Sequence, residues 1–456
     1  MSPSTTIVPG PKKRAIIVGA GISGLTAGFR LQRRGFNVTV LERSDAVGGK
    51  MSSLYRDGYV INRAANILPS SYSTIDSLIT ELGLSDTVTS VTGLLGIPRD
   101  GDIKRIRSSG LQMTVDGLRT DLLSWNSRLK ARNLVIDAIK MRKYLSYENL
   151  GMAERFDTET AADYCERRLT PELREYVVDP ILRALYTAEA ERLSVVDFFF
   201  AAVNFVGSGF MRYPSGIGFV CEALAQQLDV RTQAEVRLVE EKPDHVEVSW
   251  TEGGEEKTAT ADACIIATSA DLVPKLFPQL DTRQQEIITD HFTYGTTLAG
   301  HFALKSRPDE DSMVMPVPIS LDRNLCVITL DHNASPAAAP AGRGMISSYW
   351  LHEWSVDHID DSDEDLAAEM LRSIDKVLPG VSSQVEFAHI DRWNPAIIRS
   401  YSGMYKYVAE FARRIDRESR VQLSGDYLSA SSTNGCATSS ELAAERVIAA
   451  LASAQR

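Results

Sequence analysis

Short apolar runs separated by glycine-rich punctuation open the chain and predict a strand, a helix and a second strand in quick succession. Residues 15–18 are continuously apolar, as a strand buried on both faces requires. After Gly19-Ala20-Gly21-Ile22-Ser23-Gly24, the apolar Leu25, Phe29 and Leu31 and the polar Arg30, Arg33 and Arg34 follow a helical pattern that Gly35 closes. Residues 37–41 form the second strand, which ends at Glu42. Alternation at Val236 and Leu238, then at Val246, Val248 and Trp250, predicts paired strands over 232–250. Further strands are predicted at 263–268, 294–304, 343–350 and from Val421. Helical periodicity covers 75–82, 118–132, 134–147, 161–168 and 172–186, and an Ala-rich stretch predicts a closing helix over 434–452. The overall class is α/β.

The glycines of the first turn each meet a physical demand. Gly19 permits the tight strand-to-helix turn, Gly21 lets a pyrophosphate approach the backbone, and Gly24 lets helix and strand pack closely. The helix N-terminus offers free N–H groups and the positive end of its dipole to an anion. Glu42, at the tip of the second strand, is placed to accept hydrogen bonds from ribose hydroxyls. Strand, helix, second strand and acid arrive in order, which is the context that separates a dinucleotide site from an ordinary glycine turn.

Beyond Glu42 the chain continues Arg43-Ser44-Asp45-Ala46-Val47-Gly48-Gly49-Lys50. This resembles the extended fingerprint of the flavin amine oxidase, protoporphyrinogen oxidase and phytoene-type desaturase superfamily. The resemblance implies FAD rather than NAD. It assigns cofactor contacts to Gly19, Ala20, Gly21, Ser23, Gly24, Glu42, Arg43, Gly49 and Lys50, the last neutralising diphosphate charge. It also implies that Val236 covers the adenine. Gly425-Asp426 would then meet the ribityl or phosphate region, and Ala437, where the last helix opens, the flavin O2/N1 edge. Ser439, Ser440 and Glu441 also read as a plain helix cap. Asn62 and Ala64 stand where the family commonly shows Asp and Gly, and no side-chain role is assigned to them. The implied fold is a Rossmann-type FAD-binding domain, a central parallel sheet with helices, from residues 14–70, 215–290 and 415–456. An α+β substrate domain with a helical portion, from 71–214 and 291–414, completes it.

The resemblance also bears on chemistry. Ala299 occupies the position where flavin amine oxidases commonly hold a lysine through water near the flavin N5. Of the two aromatic positions that cage a substrate, one is expected at Tyr405, while the second falls on Ser432. The cysteine that some relatives join to flavin is missing, so FAD is expected to be non-covalent. Asp391-Arg392-Trp393, Ala396-Ile397 and Gly403 resemble the protoporphyrinogen oxidase and desaturase branch. That branch implies hydride removal from a C–N or CH–CH unit of a small, fairly apolar molecule, with position and electrostatics outweighing acid–base chemistry. His301 shares a strand face with Ala299 and reads as a satisfied structural histidine, with a general base as the sharper alternative. An imine-forming amine oxidase is the alternative function, and a carrier or scaffold using the fold without turnover is a third.

Composition narrows the partners. The net charge of −11 argues against a nucleic-acid partner. Five cysteines, scattered singly, suggest neither a disulfide framework nor a metal site, and a reducing, cytoplasmic setting is expected. Residues 1–14 lack the apolar run of a secretory leader. The nearest approach to a spanning segment, 193–210, is interrupted by Asp197, Asn204 and glycines. Phe198-Phe199-Phe200 reads as a core helix, with a peripheral membrane contact or a greasy tunnel wall as the alternatives.

Overall fold

The computed structural model describes residues 12–213 and 215–453, so most of the segment weighed as a leader lies outside the described residues, as does Pro214. A five-stranded parallel sheet runs in the order Val421–Leu423, Ala263–Ile266, Arg14–Val18, Asn37–Leu41, Asp229–Arg231. The first strand sits at its centre because Ala15, Ile16, Ile17 and Val18 are buried on both faces. The helix Ile22–Arg33 packs on this sheet beside the closing helix Thr433–Ser453, which rests on the Val421–Leu423 side, and is buried along most of its length. Arg30 fastens the arrangement at the surface, reaching Glu441 at 2.5 Å and Glu81 at 2.7 Å.

The paired strands expected over 232–250 are Ala234–Glu241 and Val246–Glu252, and a third antiparallel strand, Glu255–Ala261, joins them. Its sequence, EEKTATA, carries too little apolar alternation to announce a strand. A seven-stranded mixed sheet forms the other half, in the order Val385–Trp393, Thr297–Leu304, Gly344–Trp350, Leu325–Leu330, Val314–Pro316, Leu94–Arg99, Asp102–Arg107. Its last two strands correct the mostly helical expectation for 73–213. They form a hairpin turning at Asp100-Gly101, both with positive φ (54° and 79°), a turn pair whose hairpin preference was legible in the sequence.

The helices expected at 118–132 and 134–147 are also redrawn. One helix ends at Arg119, and the next runs Trp125–Met141. The break has two causes: Leu122 is drawn into the core, and the Ser124 hydroxyl caps the second helix by accepting from the Ser127 N–H. The helix Val195–Asn204 realises the core reading of its three phenylalanines, each no more than 2 % exposed. Beside them the buried Asp197 accepts the Tyr405 hydroxyl at 2.7 Å. Burial pushes the Asp197 carboxyl up to about 8, against the opposing hydrogen bonds from Tyr405 and Ser400.

Two outcomes are expected. A β-carbon at Gly24 would lie 1.8 Å from the Gly19 carbonyl oxygen, so Gly24→Ala should destabilise the fold by about 3 kcal/mol or more, read as a shift in the denaturant midpoint. An unfolded Asp titrates near 3.9, so between about pH 4 and pH 8 the unfolded chain sheds a proton that folded Asp197 keeps. That contribution to stability is present below pH 4 and lost as pH rises through 8. Asp197→Asn should therefore gain on the parent in melting temperature from pH 5 to pH 9; a constant difference would show that Asp197 does not titrate this way.

Candidate functional site

The first turn is built by close approach. The Gly19 N–H donates to the Leu41 carbonyl at 2.8 Å, its φ is +99°, and a β-carbon there would meet the Ala267 carbonyl oxygen at 3.0 Å. Gly24 presses on Gly19 from the helix side. Gly21 differs: it caps the helix, and a β-carbon on it would meet nothing within 4 Å. No side chain caps this helix and no acid sits in its first turn, so open space faces its N-terminal end. Glu42 holds the turn from the second strand, its carboxylate accepting the Ala20 N–H at 2.7 Å and the Ser44 N–H at 2.9 Å. Arg43 is exposed, and Ser23 is buried with its hydroxyl 3.5 Å from the Cys436 carbonyl.

A second glycine turn closes over the first. The Gly48 N–H donates to the Ala20 carbonyl at 2.8 Å, and Gly48 and Gly49 have φ of +100° and +53°. A β-carbon on Gly49 would stand 3.6 Å from the Gly21 Cα, so the two turns share one cradle. The strand carrying Val236 starts beside the same corner, because the Ala234 N–H donates to the Glu42 carbonyl and the Gln233 N–H to the Ser44 carbonyl, each at 2.8 Å. Val236 itself is buried opposite Trp250.

At the far end of the cradle the closing motif arrives. Lys50 Nζ lies 5.4 Å from the centre of the Tyr294 ring, and the Tyr294 hydroxyl donates to Asp426 Oδ1 at 2.9 Å while accepting the Ala270 N–H at 3.0 Å. The helix expected from Asn434 begins at Thr433. Ser432 caps it, its hydroxyl accepting the Gly435 N–H at 3.0 Å and its carbonyl the Cys436 N–H at 2.9 Å. Thr433 Oγ1 and Asn434 Nδ2 are buried at this end without a hydrogen-bond partner. The other side of Asn434 is occupied, its Oδ1 accepting the Thr74 and Ile75 N–H groups at 3.0 and 3.2 Å. Ala437 lies one turn inside the helix and is fully buried, and Gly425 backs onto the Tyr427 ring. The cap reading of Ser439 and Ser440 is corrected: the helix has already begun, and both side chains turn back to the strand end, Ser440 to the Ser424 hydroxyl at 2.7 Å and Ser439 to the Gly425 N–H at 3.3 Å. A backbone cradle open at Gly21, a lysine at its rim, and unpaired buried polar atoms at a helix N-terminus suit a diphosphate joined to a polar heterocycle.

Ala299 is fully buried on its strand, paired across the sheet with Tyr349 and Asp391. His301, two residues along, is wholly buried, with Nδ1 2.8 Å from Ser347 Oγ and Nε2 3.5 Å from Asp391. Ser347 donates on to Asp331 at 2.5 Å, and Asp331 also receives Asn66 and Thr329. Burial raises the Asp391 carboxyl, but His301, His389 and Arg63 together hold it well below the usual carboxylate range. Sequence reasoning passed over most of this network. Asn62, left without a role, accepts the Ile217 N–H at 2.8 Å and links Ser53, Asn66 and Tyr213. No spacing rule joins Asn62 and Arg63 to Ser347 and Asp391; only the fold does. Tyr405 departs from its expected place in a cage: its hydroxyl is spent on Asp197, its N–H on Asp157, and its ring is buried in the core.

Comparison with known proteins matches residues 22–448 to the family model described as flavin containing amine oxidoreductase. Protoporphyrinogen oxidase 2, chloroplastic/mitochondrial, of Arabidopsis thaliana is 27 % identical over 188 residues, 40 % of this chain and only 34 % of the relative's length. Coproporphyrinogen III oxidase of Bacillus subtilis (strain 168) is 21 % identical over 442 residues, covering 88 % of this chain and 90 % of the relative. A putrescine oxidase double mutant of known structure superposes with a TM-score of 0.77 at 19 % identity, covering 96 % of this chain and 100 % of that one.

Proposed function

This chain belongs to the flavin containing amine oxidoreductase family, and from that premise we propose that it binds FAD non-covalently and takes a hydride from a C–N or CH–CH unit of a small, fairly apolar organic molecule. The observation that carries the reading is the convergence of both glycine turns with Lys50, Tyr294, Asp426 and the start of the closing helix along one cradle. FAD supplies the two-electron acceptor for the departing hydride.

The chain's own residues bind and orient. Glu42 and Val236 stand at the adenosine end. Gly21, Gly49 and the first helix N-terminus hold the diphosphate, with Lys50 as its counter-charge and Arg43 nearby. Asp426, kept in place by Tyr294, meets the ribityl chain, and Thr433 and Asn434 face the flavin's polar edge. Ala437 supports that helix from within and Gly425 sets the turn before Asp426. The parts fall into an FAD-binding unit of 14–70, 215–290 and 415–456 and a substrate unit of 71–214 and 291–414.

Ala299 favours carbon-centred hydride removal over imine formation. It puts a buried methyl where a lysine would hold water, so this wall excludes water instead of positioning it. Porphyrinogen-like hydroaromatics, whose methylene-bridge C–H bonds lie one carbon away from the pyrrole nitrogens, are substrates of the carbon-centred class this wall suits. Nothing among the described residues forms a helix long and apolar enough to cross a membrane.

The purified protein should be yellow and should release its flavin into the supernatant on acid denaturation. A colourless chain that takes up no added FAD would overturn the proposal. Gly21→Val should fold normally, since nothing crowds that position, yet retain no flavin. Asp426→Ala should weaken FAD binding by roughly tenfold or more, the scale of a lost charge-assisted hydrogen bond. Under anaerobic conditions hydroaromatics should bleach the flavin; bleaching by amines alone, with ammonia or aldehyde release, would favour the imine-forming reading.

A further inference from the structure

The helix Trp125–Met141 is built inside out. Its inner face, with Ser127 and Met141 buried and Leu134 and Ala138 packed on the aromatic core, rests against the helix Val195–Asn204. Its outer face carries Trp125, Leu129, Val135, Ile136 and Ile139, from 45 % to 71 % exposed. These are half of the ten large apolar side chains exposed among the described residues, so they form a patch and not random scatter. Trp125, Leu129, Arg132, Ile136 and Ile139 follow each other at spacings of four and three, one stripe about 21 Å long.

Charge decides what covers the stripe. From Trp125 to Tyr144 there are six basic residues, Arg128, Lys130, Arg132, Lys140, Arg142 and Lys143, against one acid, Asp137, in a chain of net charge −11. Asp137 faces inward to Tyr164 and Arg168. Arg128 bends back to the Leu123 and Thr120 carbonyls, whereas Lys130, Arg132, Arg142 and Lys143 are exposed around the apolar residues. A second copy of the chain would set like charges face to face.

We propose that this helix is a monotopic docking surface for an anionic lipid bilayer, lying in the interface plane with Trp125, Leu129, Ile136 and Ile139 inserted and the lysines and arginines at the phosphate level. The sequence had left a membrane contact open at Phe198–Phe200. The fold buries those rings and exposes this neighbouring helix in their place. The proposal does not rest on the assignment of substrate.

The test is co-sedimentation of the full flavin-loaded chain with vesicles of phosphatidylcholine alone or mixed with phosphatidylglycerol. Binding to the anionic vesicles should weaken with salt and fall by about tenfold or more in the double variant Ile136→Glu and Ile139→Glu, which should keep the parent's melting temperature and flavin content. Tryptophan emission should shift to the blue on binding, and Trp125→Phe should remove that shift. Absent binding to anionic vesicles, or undiminished binding by the folded double variant, would overturn the proposal. A concentration-dependent dimer abolished by the same variant, with no vesicle binding, would overturn it in favour of a second copy on this face.

Discussion

The approach of Gly24 to Gly19 governs the geometry of the cofactor half. The first helix can start directly over the first strand only where no side chain intervenes, since even a methyl at Gly24 would stand 1.8 Å from the Gly19 carbonyl oxygen. That contact fixes where the helix N-terminus points and leaves the space before Gly21 clear. Glu42 and the Gly48-Gly49 turn then close on the same backbone, because the Ala20 N–H and carbonyl are the groups they bond. The closing helix finds its place by packing on the first, and its opening residues arrive at the far end of the cradle.

Local chain chemistry secures that second arrival. Asn434 does double service, using one amide atom to cap the helix Ser73–Glu81 while leaving the other unpaired at the site. Ser424, Ser439 and Ser440 tie the last strand to the last helix, which fixes the turn that presents Asp426. Thr433 Oγ1 and Asn434 Nδ2 are left unpaired by this arrangement, a cost to the fold that a ligand bound at this end would offset.

The two halves are joined by polar contacts that run from Ser53 and Asn62 through Asn66 to Asp331, Ser347 and His301, and from Arg63 to Asp391. Ordered bonds of this kind fix the mixed sheet against the cofactor half. Apolar packing alone specifies such a position less tightly, since it is nearly indifferent to small sliding motions.

Residues close in sequence were legible because their geometry is local. Three glycines at fixed spacing between a strand and a helix admit little other structure, and the family resemblance extended that certainty to FAD and to the chain's two ends. Elements with mixed polarity were not legible: Glu255–Ala261 lacks apolar alternation, and the break at 120–124 depends on Leu122 finding a core. The alliances of Lys50 with Tyr294 and Asp426, and of Arg63 with Asp391, span hundreds of residues and leave no spacing to read. The same holds for exposure. Phe198–Phe200 and the apolar residues of Trp125–Met141 look alike as composition, and only the packing of one helix over the other decides which is core and which is surface. The sequence by itself determined the local backbone of the cofactor cradle, because turn sterics act over a few bonds. The tertiary structure alone decided its distant partners, because burial and pairing across the fold are properties of the whole chain.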